Sequence, residues 1–348
     1  MVARWNHPAR SPVDNGVTVP LSVLDLASVR DGSSHSEALA DTLTVAREAD
    51  RLGYRRFWVA EHHGMPGIAS SSPPVLIGAI AAATERIRVG SGGVMLPNHS
   101  SLVVAEQFGT LVALHGDRID LGLGRAAGTD PLVSATIRRH VGIETVDDFP
   151  QQVIELLAYF GTIPALEGGQ GSRIMAVPGM GDSPELWLLG SSDFSARLAG
   201  MMGLPFAFAH HFAGGDSTPL AFELYRDAFT PSVVLSEPHS MVAVTALVAD
   251  SAEQARELAL PQALQMIRLR SGHPTRMPSL ADTLAHPWTD AENAFVDQRL
   301  AHQAIGTLEH VRSRIDALVA STLADEVIIV PQGSTVEVRL ETLRALAG

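Results

Sequence analysis

The chain has 348 residues, a 46% hydrophobic content and a formal charge of −13, so it can build a sizeable core and carries no basic excess that would draw nucleic acid. All 25 basic residues are arginines, which excludes Schiff-base aldolases, pyridoxal-phosphate enzymes and Walker-type phosphate loops, since each needs a lysine amine. Cysteine is absent, removing thiol nucleophiles, disulfides and cysteine metal sites.

Residues 1–16 form a polar, Pro- and Asn-containing extension without the apolar stretch of a signal peptide. No run approaches the roughly 18 apolar residues of a membrane span. The expectation is a cytoplasmic protein with no membrane and no nucleic-acid partner.

Short apolar runs then alternate with helical patterns. Val19 to Leu24 reads as a first strand, and Ser34-His35-Ser36-Glu37 is a capping-box pattern opening a helix that Gly53 stops. Arg56 to Ala60 is the second strand, and a helix starts at Pro73-Pro74 and runs to about Thr84. Ile87 to Val89 with Val94 to Leu96 form a third strand around Gly90-Ser91-Gly92-Gly93. A helix over Leu102 to His115 leads to a fourth strand, Arg118 to Leu123. Leu186 to Leu189 is strand, Asp193 to Met202 helix and Pro205 to Ala209 strand. Phe222 to Phe229 lies in a helix, Met241 to Val248 is strand and Glu253 to Ile267 helix. Leu308 to Val319 is helical, Glu326 to Val330 is the last strand, and Val336 to Ala347 closes the chain. Eight strands alternating with helices are the pattern of an α/β fold, a (β/α)8 TIM barrel with insertions, in a single domain over residues 17–348. Residues 161–185 and 270–290 are the candidate lids.

In such barrels the chemistry sits beyond the carboxyl ends of the strands. The second strand runs out into Glu61-His62-His63-Gly64, and the sixth into His210-His211. Imidazole suits both a general base and a zinc ligand, but adjacent residues on a strand point opposite ways, so each pair offers one ligand to the mouth unless the strand has already ended, and no H-x-H occurs; the metal reading is set aside. The fourth strand ends in Gly122-Leu123-Gly124-Arg125 and the fifth in Gly190-Ser191-Ser192-Asp193, entering a helix. A guanidinium beside a helix amino terminus would hold a phosphomonoester. The blander reading makes Ser191 or Ser192 an ordinary cap and pairs Arg125 with an acid such as Asp130. Gly92-Gly93 lets the backbone approach something flat, or simply bulge.

Together these blocks resemble the bacterial luciferase-like flavin monooxygenases. The resemblance rests on Val59-Ala60-Glu61-His62-His63-Gly64, Arg86 to Pro97, Ala105-Glu106-Gln107-Phe108, Arg118 to Arg125, Trp187 to Ala196 and Gly203 to Phe212, in that order. It covers roughly residues 17 to 345 and looks closest to the branch that includes tailoring oxygenases of aromatic polyketides, such as that of mensacarcin biosynthesis. It implies a luciferase-like barrel that takes reduced FMN from a separate reductase and reacts it with O2, through a C4a-peroxyflavin, to oxygenate a small organic substrate such as a polyketide intermediate or aldehyde. It further implies a homodimer. By the same resemblance His62 is the catalytic imidazole, with Glu61, counted among the cofactor-binding residues, and His63 behind or beside it. Arg125, Gly190, Ser191, Ser192 and Ser195 hold the FMN phosphate, and Gly92-Gly93 is a non-prolyl cis peptide under the isoalloxazine. Gly124 stands where light-emitting members have a reactive cysteine. The same barrel also serves deazaflavin (F420)-dependent hydride transfer and non-catalytic flavin binding, so both remain alternatives.

Overall fold

The computed structural model describes residues 19–126, 131–137, 148–164, 174–213 and 217–348. The polar extension, Asp130 and residues 165–173 of the first candidate lid lie outside the described residues. Nine strands are described: β1 (Leu21–Asp25), β2 (Arg56–Val59), β3 (Arg88–Met95), β4 (Ile119–Gly124), β5 (Glu185–Gly190), β6 (Phe206–Phe208), β7 (Ser240–Val248), β8 (Ala304–Gly306) and β9 (Glu326–Pro331). All pairings between them are parallel. Each of β1 to β7 pairs with the next, β7 pairs with β9, and β9 returns to β1, so eight strands close a barrel.

The ninth, β8, was not expected. It adds three residues to the far end of β7, at Ala246 to Val248, outside the ring. Its sequence, Ala304-Ile305-Gly306, is too short to show a period of two, so only the exposed edge of β7 defines it.

The helices are α1 (His35–Leu52), α2 (Pro73–Ala83), α3 (Ser101–His115), α4 (Pro131–Ile137), α5 (Phe149–Tyr159), α6 (Asp193–Met202), α7 (His210–Ala213), α8 (Ser217–Asp227), α9 (Ala252–Arg270), α10 (Leu280–Leu284), α11 (Asp290–Ala301), α12 (Leu308–Thr322) and α13 (Val336–Ala347). Around α1 the local code is fully realised. The Ser34 side chain accepts from the Glu37 amide while Glu37 reaches back to the Ser34 amide, and Gly53 closes the helix at φ 82°. The second candidate lid is not merely loop, because Ser279 caps the short helix α10 within it.

Strand alternation divides the buried side chains into two sets. One packs between barrel and helices; the other, including Leu24, Trp58, Trp187, Met241 and Ile328, fills the barrel. Trp58 and Trp187 meet edge to face at 5.5 Å. Beneath them a charged floor closes the amino-terminal end. Buried Arg56 reaches Asp120 at 2.8 Å, Glu185 at 2.7 Å and Glu326 at 3.1 Å, and Arg88 donates to the other oxygen of Asp120 at 2.8 Å. The Trp58 indole N–H also donates to Asp120, and only a glycine fits at position 90, where a Cβ would sit 2.5 Å from Asp120 Cβ.

Over the opposite end lies the 270–290 insertion. The Met277 amide donates to Val29 O and Met277 O accepts from Asp31, each at 2.8 Å, while the Val29 amide donates to Gly67 O at 2.9 Å. Backbone hydrogen bonds therefore stitch this segment across the loops that follow β1 and β2.

Candidate functional site

Strand register brings the predicted residues into one row at the mouth. Val59 lies opposite Ser91, Met95 opposite Gly124, Gly124 opposite Leu189, and Gly190 opposite Phe208. The residues just past these pairs are the chemistry-bearing ones: Glu61 and His62, Gly92-Gly93, Arg125, Ser191-Ser192 and His210-His211.

β2 ends at Val59 and β6 at Phe208, so neither histidine pair lies in a pleated strand. His210 and His211 open the short helix α7 instead. The alternation argument, by which each pair would offer one imidazole to the mouth unless its strand had already ended, therefore does not apply here: the strands have ended. The backbone of His62 is fixed by its amide donating to Ser70 O at 2.9 Å, and the Ser70 hydroxyl donates back to Ala60 O.

Glu61 is 1% exposed and organises what surrounds it. Its Oε1 accepts from His63 Nε2 and His99 Nε2, both at 2.7 Å, and Oε2 accepts from the Met95 amide at 3.0 Å. Burial opposes its ionisation, but the His63, His99 and Met95 donors win and hold its pKa at about 2. The carboxylate thus ties the loop after β2 to the carboxyl end of β3. Glu61, His63 and His99 are also donor types that could hold a metal ion, although here the carboxylate is satisfied by three hydrogen bonds. Sequence reading missed His99. It follows a turn at Leu96–Asn98, and nothing near it in the chain points back to Glu61.

Across the mouth the second histidine pair divides its work. His210 Nδ1 accepts from the Thr218 hydroxyl at 2.8 Å, and its Nε2 donates to His302 O at 3.2 Å, so this ring joins α7 to α8 and to the segment before β8. Burial, then the charge of Arg299, with smaller contributions from His210 and His62, pushes His211 down to about 3. It is neutral at physiological pH.

At the phosphate-ready corner, the Arg125 guanidinium lies 4.1 Å above the ring of Phe194, in the first turn of α6. No ion pair to Arg125 occurs among the described residues. Ser192 is the N-cap of α6 in extended conformation, yet its side chain makes no capping hydrogen bond, so the ordinary-cap reading is not realised. Ser195 Oγ turns back to donate to Ser192 O at 2.8 Å. A Cβ at Gly190 would lie 1.9 Å from Ser195 Oγ, which explains the glycine: the helix returns directly against the strand end.

The Gly92-Gly93 peptide is cis. A Cβ on Gly92 would meet Leu24 Cδ1 at 2.8 Å, and one on Gly93 would meet Gly122 O at 2.8 Å, so both positions present bare backbone.

Comparison with known proteins gives this arrangement a family. The model of the luciferase-like monooxygenases matches residues 19–326. A luciferase-like monooxygenase of Escherichia coli (strain K12) is 43% identical, the match covering 90% of this chain and 91% of that one. Among solved structures, apo-MsnO8 superposes with a TM-score of 0.84 at 36% identity, over 94% of this chain and 96% of that one. Likeness of fold alone extends to the FMN complex of the oxygenating constituent of 3,6-diketocamphane monooxygenase from Pseudomonas putida, with TM-score 0.70 and 21% identity over 94% and 97% of the two chains. It extends equally to an F420-dependent secondary alcohol dehydrogenase, at TM-score 0.62 and 14% identity over 94% and 99%. With the closed eight-stranded barrel and the ordered strand ends already in place, the chain belongs to the luciferase-like monooxygenase family and is an oxidoreductase of that family.

Proposed function

We propose that this barrel binds reduced FMN and uses O2 to oxygenate a small organic substrate, of the class of a polyketide intermediate or an aldehyde. The observation that carries the reading is the Arg125 corner: a guanidinium without an ion-pair partner among the described residues, stacked on Phe194, beside a helix amino terminus whose cap side chain is unused. That is a cradle for a phosphate monoester, and FMN ends in one. Arg125, Ser191, Ser192 and Ser195 would hold the phosphate, Gly190 allowing the close return of α6. Gly92-Gly93 offers bare backbone to the flat ring system. Bound reduced FMN supplies the electrons and activates the oxygen.

The chain's own residues position, shield and move a proton. His62, held by Ser70 at its backbone, carries a proton to or from the reacting oxygen through a ring nitrogen. Glu61 is buried and fully hydrogen-bonded, which makes it the anchor that fixes the loop carrying His62. The stitched 270–290 segment excludes water from the mouth. Electrons arrive from a separate flavin reductase that docks transiently.

We also assign the protein a homodimer through α2 and α3. The eleven residues of α2 include no charge, and Val75 on α2 and Leu114 on α3 are 76% and 70% exposed.

Equilibrium titration of the wild type and of Arg125→Ala with reduced FMN and with the deazaflavin F420, followed by oxygen uptake across a substrate panel, tests the reading. The expected result is preferential FMN binding that Arg125→Ala weakens by roughly tenfold or more. Substrate oxygenation is expected to vanish in His62→Ala while FMN still binds. Preference for the deazaflavin would install the hydride-transfer alternative. Peroxide release without any oxygenated product would support a non-catalytic flavin carrier, and full activity of His62→Ala would end the catalytic role of that residue.

A further inference from the structure

The sequence offers imidazoles in adjacent pairs, but the structure assembles a different set. Glu61 and His63, two residues apart after β2, meet His99, which arrives from the turn after β3. Glu61 Oε1, His63 Nε2 and His99 Nε2 all lie within 4.8 Å of one another, the one such trio of His, Asp or Glu donors among the described residues. Each imidazole nitrogen is 2.7 Å from the same carboxylate oxygen. Two histidines and a carboxylate converging from two strand ends are the donor set of an open, three-ligand zinc site.

The distances fit a metal with little movement. Zinc takes imidazole nitrogen and carboxylate oxygen at about 2.0–2.2 Å, which at a tetrahedral centre puts neighbouring donors roughly 3.3 Å apart. Each Nε2 therefore has to withdraw from Oε1 by only about 0.6 Å. Both rings are free to do so, since the His63 and His99 side chains are 20% and 32% exposed, which also opens the site to an ion from solvent. The carboxylate by contrast is buried and held in place, because Oε2 accepts from the Met95 amide at 3.0 Å. That outer contact leaves Oε1 as the ligating oxygen. In the metal-free protein each Nε2 faces Oε1 through a hydrogen bond. On binding, the ring proton is carried at Nδ1 and Nε2 becomes the ligand.

We propose that Glu61, His63 and His99 form a binding site for a zinc-class divalent cation, with water in the fourth position. Two nitrogens and one oxygen disfavour Mg2+ and Ca2+, which ask for oxygen throughout. Occupancy replaces two hydrogen bonds by a cross-link between the loop after β2 and the turn after β3. His62 lies between two of the ligands in the chain, so the cross-link clamps the loop that carries it. The site takes nothing from the Arg125 corner, and its test needs no flavin.

That test uses chelator-treated, full-length protein without a histidine tag, titrated with zinc sulfate by calorimetry. One ion per chain with a Kd of about 10 μM or tighter is expected, as is a Tm raised by roughly 3 °C at a hundredfold excess over Kd. Cobalt(II) should give the intense visible absorption of a four-coordinate centre, whereas calcium and magnesium should bind at least about a hundredfold more weakly. His99→Ala and His63→Ala should each weaken zinc at least about tenfold, while His62→Ala should leave its affinity within about threefold. X-ray absorption of the zinc-loaded wild type needs no variant and should read two imidazole ligands. No saturable zinc binding, undiminished affinity in His99→Ala with native circular dichroism, or a spectrum with other than two imidazoles would leave an adventitious ion only and overturn the assignment.

Discussion

Replacing Glu61 by Gln keeps the shape of the buried hub and removes its charge. The folded-state pKa of about 2 lies below the ordinary value of 4.5, a depression of about 2.5 units, or about 3 kcal/mol at 1.36 kcal/mol per unit. Because Glu61 is 1% exposed, solvent screening takes little from that figure. The sign follows from linkage. A depressed carboxylate contributes stability that is fully present above the unfolded pKa and is lost as pH falls through the folded one. Glu61→Gln should therefore lower stability by about 3 kcal/mol at pH 7, roughly 4 °C in Tm for a chain of this length. The gap between wild type and variant should hold down to about pH 5, shrink to about half near pH 3.3 and close toward pH 2. Urea unfolding of both proteins at a series of pH values, followed by circular dichroism, reads the gap directly. A variant as stable as wild type at pH 7, or a gap that does not narrow in acid, would refute the assignment of Glu61 as a charged anchor for His63, His99 and the end of β3. Loss of oxygenation larger than the loss of folded protein would show in addition that the anchor positions His62.

Three further outcomes follow from the same geometry. Gly190→Ala places a methyl where Ser195 Oγ now sits, 1.9 Å away, so the first turn of α6 must shift. FMN affinity should fall roughly tenfold with the fold retained, and unchanged affinity by fluorescence titration would remove the phosphate corner from the site. Arg56→Met leaves Asp120, Glu185 and Glu326 facing one another at the barrel floor, which should cost about 3–5 kcal/mol in chemical denaturation. Adding Asp120→Asn and Glu185→Gln should recover part of that loss, and a stable single variant would contradict the charge balance drawn here. Val75→Arg should convert a dimer to a monomer in sedimentation velocity, since it puts a cation into the uncharged face of α2. A monomeric wild type would dispose of the dimer proposal.

Much of this protein was legible in the chain because the relevant signals are local. Apolar runs with helical periods between them placed all eight barrel strands, Ser34-Glu37 and Gly53 bounded α1, and the polar residues after each run marked His62, Arg125 and Ser192 as mouth positions. Each of those signals involves neighbours within a turn or a strand of one another. What only the tertiary structure decided depends on register and closure. His99 joins Glu61 from 38 residues away because β2 and β3 pair with Val59 opposite Ser91. Arg56 finds Glu326 across 270 residues because β9 returns to β1. The sequence determined where the strands end and which groups stand there. The summed packing that fixes register and closes the barrel decided which of those groups meet.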